Sequence, residues 1–490
     1  MTASTALEGL DSGGAEIPWP ETPPGRGEAP RRKQGSRAPD SDDEVHRSHL
    51  RMAKRVAASY GDRLRYAHGL GWLVWDGTRW APDRDGEPFR CAIEVVEEAR
   101  RDTGDATLAD DAKSAESASG LKGIVELARY IRPLAISAEQ LDTDPYLLNC
   151  ANGTLDLRTR QLCGHARTDL ITKVTGCGYD PAAASGDFDT FLAEVLPVAE
   201  VREFIRRIAG YGLLGKVAEH ILPILTGTGC NGKTTLVELL LKAFGDYGIM
   251  ADPELLTEHR GGQHPTGQAD LLGVRLAVTQ ETDQGHKLAV ATVKRLTGGD
   301  KIRARRMRQD FFEFDPSHTA IMVTNHKPRI PGDDPAIWRR IRVIPFDRVI
   351  ENPDPSLPDR LALGLAAVLA WAVQGYADYC AQGLADPKAV TERTESYRVS
   401  SDSLGRFLAE CTVQKERVKL RARELFDKWQ KWCSDNGEAP GSEVEFADSM
   451  ATRGQPKRKS HGVMIYDGLG LLADSSEPDW AQRAAGDDGD

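Results

Sequence analysis

Gly227-Thr228-Gly229-Cys230-Asn231-Gly232-Lys233-Thr234-Thr235 is the stretch that decides how this chain is read. The apolar run Ile221-Leu-Pro-Ile-Leu225 leads into it, and a second run, Leu236-Val-Glu-Leu-Leu-Leu-Lys242, leads out. The string therefore satisfies G-x-x-x-x-G-K-[ST] in the strand–loop–helix setting that the pattern requires. Gly227, Gly229 and Gly232 let the backbone curl so that its N–H groups converge on phosphate oxygens, and the start of the following helix adds a favourable dipole. Lys233 is expected to reach the β- and γ-phosphates, and the Thr234 hydroxyl to bind Mg²⁺. ATP and Mg²⁺ are thus the expected cofactors.

Hydrolysis further needs an acid near the metal and water, a polar residue reading the γ-phosphate, and a positive charge for the transition state. Downstream, Arg275-Leu-Ala-Val-Thr279 reads as a strand ending at Gln280-Glu281-Thr282-Asp283. Glu281 or Asp283 would hold the metal and the other activate water; Glu281 is the first choice. Thr319-Ala-Ile-Met-Val-Thr324 reads as a second strand, ending at Asn325, whose amide can orient the lytic water. Trp338-Arg339-Arg340 precedes a third, Ile341 to Phe346. Between the acid and the asparagine, Lys301, Arg303, Arg305, Arg306 and Arg308 place five cations in eight residues. Two readings of that patch stand: a solvated helix face, or a hairpin offering cations to nucleic-acid phosphates.

The run from Ile221 to Phe346 resembles the superfamily 3 helicases of the phage and plasmid primase–helicase family, a branch of the AAA+ ATPases. Its motifs match as Gly227–Thr235 (A), Glu281 (B), Leu296–Arg305 (B′), Thr319–Pro328 (C) and Trp338-Arg-Arg340. Upstream, Asn149-Cys-Ala-Asn-Gly-Thr-Leu-Asp-Leu157, Phe188–Leu192 and Gly210-Tyr-Gly-Leu-Leu-Gly215 resemble the helicase-associated region of the same proteins. The resemblance implies an ATP-dependent helicase of phage or plasmid replication, assembled as hexameric rings with ATP sites at subunit interfaces. One protomer would supply the phosphate loop and its neighbour an arginine finger, Arg340 first and Arg339 as the fallback. Translocation on single-stranded and forked DNA would use the B′ residues, Lys301 and Arg303 first, in the cytoplasm of a bacterial host. The match departs from the family where Thr282 separates Glu281 from Asp283. The roughly 100 ordered residues before Pro145 look too few for a primase–polymerase domain, so this chain is not expected to make primers, and a separate primase or other replication protein is an expected partner. The alternatives are a AAA+ loader or origin-melting ATPase, and a P-loop small-molecule kinase, which leaves the cationic patch, Asn325 and the paired arginines unexplained.

The expected fold is α/β: an AAA+-type P-loop core (217–385), preceded by a mixed α/β region (47–145) and a helical region (146–216). A linker (386–403) and a winged-helix module (404–473) follow, between a disordered arm (1–46) and a disordered acidic tail (474–490). In 47–145, Trp72-Leu-Val-Trp75, Asp76-Gly77 and Thr78-Arg-Trp80 spell a hairpin. Its tryptophans are either a small-sheet core or a base-stacking platform. Helices are expected at 91–101 and 120–131. In the last module, helices are expected over Val418–Trp432 and from Ser442 to Met450, with Val444, Phe446, Ala447 and Met450 inward. The basic turn Lys457-Arg458-Lys459 follows, then a strand pair; those three cations are the expected DNA contacts.

The chain has 490 residues and a formal charge of −11, so any nucleic-acid contact must use a local basic patch. Its eight cysteines form no C-x-x-C pair, which disfavours a zinc ribbon or disulfide framework. No basic start followed by an apolar stretch marks a secretory signal, and the apolar run Leu361–Val373 is shorter than the roughly 20 residues a bilayer requires. A buried core helix and a soluble cytoplasmic protein are expected.

Overall fold

The computed structural model describes residues 48–102, 104–258, 265–281, 287–305, 311–330 and 334–472. The expected arm and acidic tail, Asp283 and Arg306 lie outside the described residues.

Four helices, Ser48–Tyr60, Glu87–Arg101, Ala106–Ala115 and Ala118–Ala128, bury Met52, Val56, Cys91, Val95, Leu108 and Ile124 among themselves. Beside them lies a four-stranded sheet that contains the expected hairpin, with Trp75 paired to Trp80 across the Asp76-Gly77 turn. Gly77 takes φ 104°, a conformation that favours glycine. Trp80 is fully buried and its indole N–H donates to the Arg167 carbonyl, so it is core, while Trp72 and Trp75 are half-buried. The third helix has Leu108 as its one large apolar residue, too few to show a 3.6-residue period. Asp105 starts the third by accepting hydrogen bonds from the Thr107 and Leu108 N–H groups.

A meander of Leu147–Cys150, Gly153–Asp156 and Gln161–Cys163 follows, then helices Gly186–Val195 and Ala199–Tyr211. The centre of the chain is a five-stranded parallel sheet. Its order is Ile341–Pro345, Leu222–Thr226, Thr319–Thr324, Leu276–Glu281, Gly248–Ala251. Along Thr319–Thr324 every residue is buried, and the side chains alternate between two cores: Ile321 and Val323 join one, Ala320 and Met322 the other. Both faces are covered, as a parallel sheet demands. The edge strand Gly248–Ala251 is the one sequence patterning misses; it is only four residues long and Met250 is 47 % exposed.

The first core is closed by Lys233–Phe244, Ala199–Tyr211 and Leu365–Gln382. The last two cross backbone to backbone: a Cβ on Gly210 would overlap the Tyr376 amide, and one on Gly375 the Arg206 carbonyl. The apolar run around Leu365–Val373 is therefore the core helix its length suggests, and no single helix among the described residues is long and apolar enough to cross a membrane.

The stretch 386–403 is not a linker. Lys388–Ser401 is a helix lying along the sheet's edge strand, where Val390 and Tyr397 are buried and the Thr394 hydroxyl accepts from the Val343 N–H. Two buried residues in fourteen leave almost no apolar stripe to read.

The last module runs Ser403–Cys411 (helix), Thr412–Arg421 (strand), Ala422–Asp435 and Glu443–Thr452 (helices), then strands Arg458–Ser460 and Val463–Leu471. The three strands form an antiparallel sheet with Val463–Leu471 in the middle. Residues 418–421, expected to open a helix, end the first strand; Leu420 pairs with Tyr466 and both are buried, so packing across the sheet decides. Likewise 463–471 is one strand, not a pair, because Gly468 (φ 72°) carries it past a bulge in its partner without a turn. Ser442 and Glu445 form a capping box, and Phe446, Ala447 and Met450 face inward, but Val444 is 67 % exposed.

Candidate functional site

The strand Leu222–Thr226 is wholly buried and ends in the loop 227–232, from which the helix Lys233–Phe244 starts. The loop lies at the carboxyl ends of the parallel strands, where open α/β sheets bind ligands. Its conformation depends on its glycines. Gly229 and Gly232 take φ 105° and 77°, and a Cβ on Gly227 would overlap the Asn231 amide nitrogen and the Phe346 carbonyl. Gly232 also lies against Val195 and Phe191, so the upstream helix Gly186–Val195 forms one wall of the site. Asn231 Nδ2 donates to Phe346 O at 3.0 Å and the Ile350 N–H to Cys230 O at 2.7 Å, which fixes the loop to the segment leaving the edge strand.

Lys233 is 4 % exposed, and its ammonium donates to Gly227 O (2.9 Å), Asn231 Oδ1 (2.8 Å) and Asn325 Oδ1 (3.1 Å). Burial lowers its pKa from the ordinary lysine value. Thr234 is exposed on the first turn of the helix. Strand register sets the rest: Thr226 pairs with Thr324, and Thr324 with Glu281. Asn325 and Glu281 therefore sit at the same sheet edge as the loop, Glu281 about 10 Å from Thr226 across two strand spacings. The placement of Glu281 is a backbone one; its side chain, like Asp283, is outside the described residues. A cavity of about 410 Å³ opens close to this edge, lined by Leu196, Val198, Val201, Pro345, Arg348 and Ala389 among others. Sequence patterning gave no sign of it, because its walls come from three separated segments.

The paired arginines lie elsewhere. Leu222 N donates to Arg340 O at 2.7 Å, so Arg340 stands beside the start of the strand Leu222–Thr226, about 15 Å along the sheet from the loop. The Arg340 side chain is held inside its own chain, by Thr297 Oγ1 (3.1 Å) and Ala336 O (2.8 Å). Arg339 is exposed, and its side chain makes no hydrogen bond or ion pair among the described residues.

The cationic patch is a hairpin and not a helix face: Ile302–Arg305 pairs with Phe311–Phe314. Ile302 and Ala304 point into the core while Arg303 and Arg305 point out, and both guanidinium groups lie over the Phe311 ring, at 4.7 and 5.1 Å. Lys301 is exposed at its base. The hairpin precedes Thr319–Thr324 and so shares the sheet edge of Arg340, opposite the loop. Of the three C-terminal cations, Arg458 is ion-paired with Asp467 across the sheet, Lys459 is exposed and Lys457 half-buried.

Comparison with known proteins sets this geometry in context. A family described as D5 N terminal like matches residues 53–197, and a family of unknown function (DUF5906) matches residues 225–340. The chain is 28 % identical over 331 residues to a protein of Acanthamoeba polyphaga mimivirus provisionally named a helicase, covering 62 % of this chain and 34 % of that one. A Frog virus 3 protein, also provisionally named a helicase, is 28 % identical over half of this chain and 28 % of its own length. An African swine fever virus protein provisionally named a primase is 23 % identical over 64 % of this chain and 36 % of its own. The chain thus spans about a third of the length of these relatives. Among solved structures, the apo C-terminal region of NrS-1 superposes with a TM-score of 0.45 at 11 % identity, over 86 % of this chain and all of that one.

Proposed function

Since this chain belongs to the D5-like primase–helicase family, we propose that it is an ATP-hydrolysing DNA motor: a superfamily 3 helicase with an AAA+-type P-loop core and a winged-helix module. The observation that carries this reading is the buried Lys233 ammonium. It is gripped by a glycine loop at the carboxyl edge of a parallel sheet and shared with Asn325 of the neighbouring strand.

The residues fit Mg²⁺·ATP. Gly227 and Gly232 are packed too closely on Asn231, Phe346 and Val195 to carry a side chain, and Gly229 takes a positive φ. Lys233 carries the charge that meets the phosphates, and the Thr234 hydroxyl and the Glu281 or Asp283 carboxylate are suited to the metal. The cavity against Leu196, Val201 and Pro345 suits the base. The bound metal would neutralise charge developing on the phosphates. Asn325 then orients the water, and the nearby carboxylate accepts its proton.

At the loop's own edge Lys233 is the cation held in the loop and Arg348 lines the neighbouring cavity, while Arg339 and Arg340 stand at the opposite edge. We therefore assign the finger to a neighbouring copy, and to Arg339 ahead of Arg340, because Arg340 is already committed to Thr297. The hexameric ring, the cytoplasmic setting and the contact of the Lys301–Arg305 hairpin with single-stranded DNA belong to the same reading. A separate primase, or another replication protein, is the expected partner.

Hydrolysis measured with and without single-stranded DNA, beside strand displacement on a fork, tests this. Stimulated hydrolysis with displacement is expected. Stimulation without displacement favours a loader, and indifference to DNA contradicts the motor.

A further inference from the structure

The C-terminal module separates its charges by face. The helix Glu443–Thr452, the second of the helix pair and the one such modules place in a DNA groove, contains Glu443, Glu445 and Asp448 and no lysine or arginine. The sheet is the reverse. Lys415, Arg417, Lys419 and Arg421 are all exposed along the edge strand. Register places Arg421, Ile465 and Arg458 in one row across all three strands. Between Gln414 and Lys419 the strand bulges away from its partner, with Arg417 at φ 72°, so Lys415 and Arg417 project from the edge. With Lys459 the three strands carry six cations against two acids, Glu416 and Asp467, in a chain whose overall charge is −11.

We propose that this sheet and its bulge, and not the helix Glu443–Thr452, form the module's docking surface, and that its occupant is the phosphate backbone of duplex DNA. This rests on the reading of the chain as a DNA motor. Charge complementarity selects phosphate, since a row of cations releases counterions from a polyanion, whereas the helix would bring three carboxylates against it. The aromatic residues select duplex over single strand. All six in the module, Phe407, Phe426, Trp429, Trp432, Phe446 and Tyr466, are buried, so none offers a ring for unpaired bases to stack on. Backbone contact without a groove-reading helix makes the binding independent of sequence. The module would hold the duplex ahead of the ring while the Lys301–Arg305 hairpin holds the separated strand.

Full-length protein without nucleotide, titrated onto a fluorescent 30-base-pair duplex of arbitrary sequence at several salt concentrations, tests this. The reversal Lys415→Glu/Arg417→Glu/Arg421→Glu is expected to weaken binding at least tenfold and to lower the salt slope by about 3. The charge-conserving Lys415→Arg/Arg417→Lys/Arg421→Lys should stay within about threefold of wild type, and Val444→Glu/Ala451→Glu on the helix within about twofold. Equal losses in the reversed and conserving variants, or a tenfold loss from the helix variant, overturn the assignment. So does a wild-type protein that ignores the duplex, as a module built for a protein partner would; hydrolysis stimulated by single strands would then still uphold the motor.

Discussion

The ammonium of Lys233 and the side-chain oxygen of Asn325, 92 residues apart in sequence, meet at 3.1 Å. The pairing of Thr226 with Thr324 makes this contact possible, since it brings the ends of two adjacent strands level at the loop. The cation that receives the phosphates is thereby tied to the amide proposed to aim the water.

Lys233→Ala removes the phosphate-facing charge and is expected to abolish hydrolysis. Asn325→Ala should lower kcat by about 10²–10³ and shift KM only a few-fold, because its amide acts on the water and not on ground-state binding. Steady-state kinetics on both variants separates the two roles.

Gly227→Ala should fail differently. The added methyl meets Asn231 and the Phe346 carbonyl, so the loop must move and the Asn231–Phe346 bond is lost. Nucleotide binding is expected to disappear, with a stability loss of about 1–3 kcal/mol; fluorescent-nucleotide titration and thermal melting read the two effects.

Lys301→Ala with Arg303→Ala removes two cations beside the hairpin. Single-stranded DNA affinity should drop and the slope of log K against log salt should flatten by about 1.4. An unchanged slope would place the strand elsewhere.

His318 supplies a pH dependence. It is 3 % exposed, neither ring nitrogen has a hydrogen-bond partner among the described residues, and burial pushes its pKa down to about 4. A depressed histidine pKa means the unfolded chain binds the proton more readily. Its contribution is therefore intact above about pH 6.5 and lost progressively as pH falls towards 4, by about 3 kcal/mol in all. Denaturant unfolding across that range should show the slope, and His318→Phe should remove most of it.

The loop, four of the five central strands and the upstream hairpins are legible in the sequence because each is a local pattern: a fixed glycine spacing, a short apolar run, a D-G turn. Thr319–Thr324 was readable to the residue for this reason. What stayed hidden depends on partners distant in sequence. Lys388–Ser401 is a helix because two residues and one threonine hydroxyl dock on an edge strand. Residues 418–421 follow the sheet they pair with in place of the helix they precede. The commitment of Arg340 to Thr297 likewise has no signature in an Arg-Arg pair.

The most direct test of a site shared between copies is subunit mixing. Lys233→Ala and Arg339→Ala, with Arg340→Ala in parallel, are each assayed alone and then as equimolar mixtures with single-stranded DNA. If one copy supplies the loop and the next the arginine, Lys233→Ala and the finger variant are each inactive. Their mixture then regains about a quarter of wild-type hydrolysis, since head-to-tail pairing joins an intact loop to an intact arginine at one interface in four. Full hydrolysis by both arginine variants alone, or mixtures that assemble and stay inactive, would contradict it.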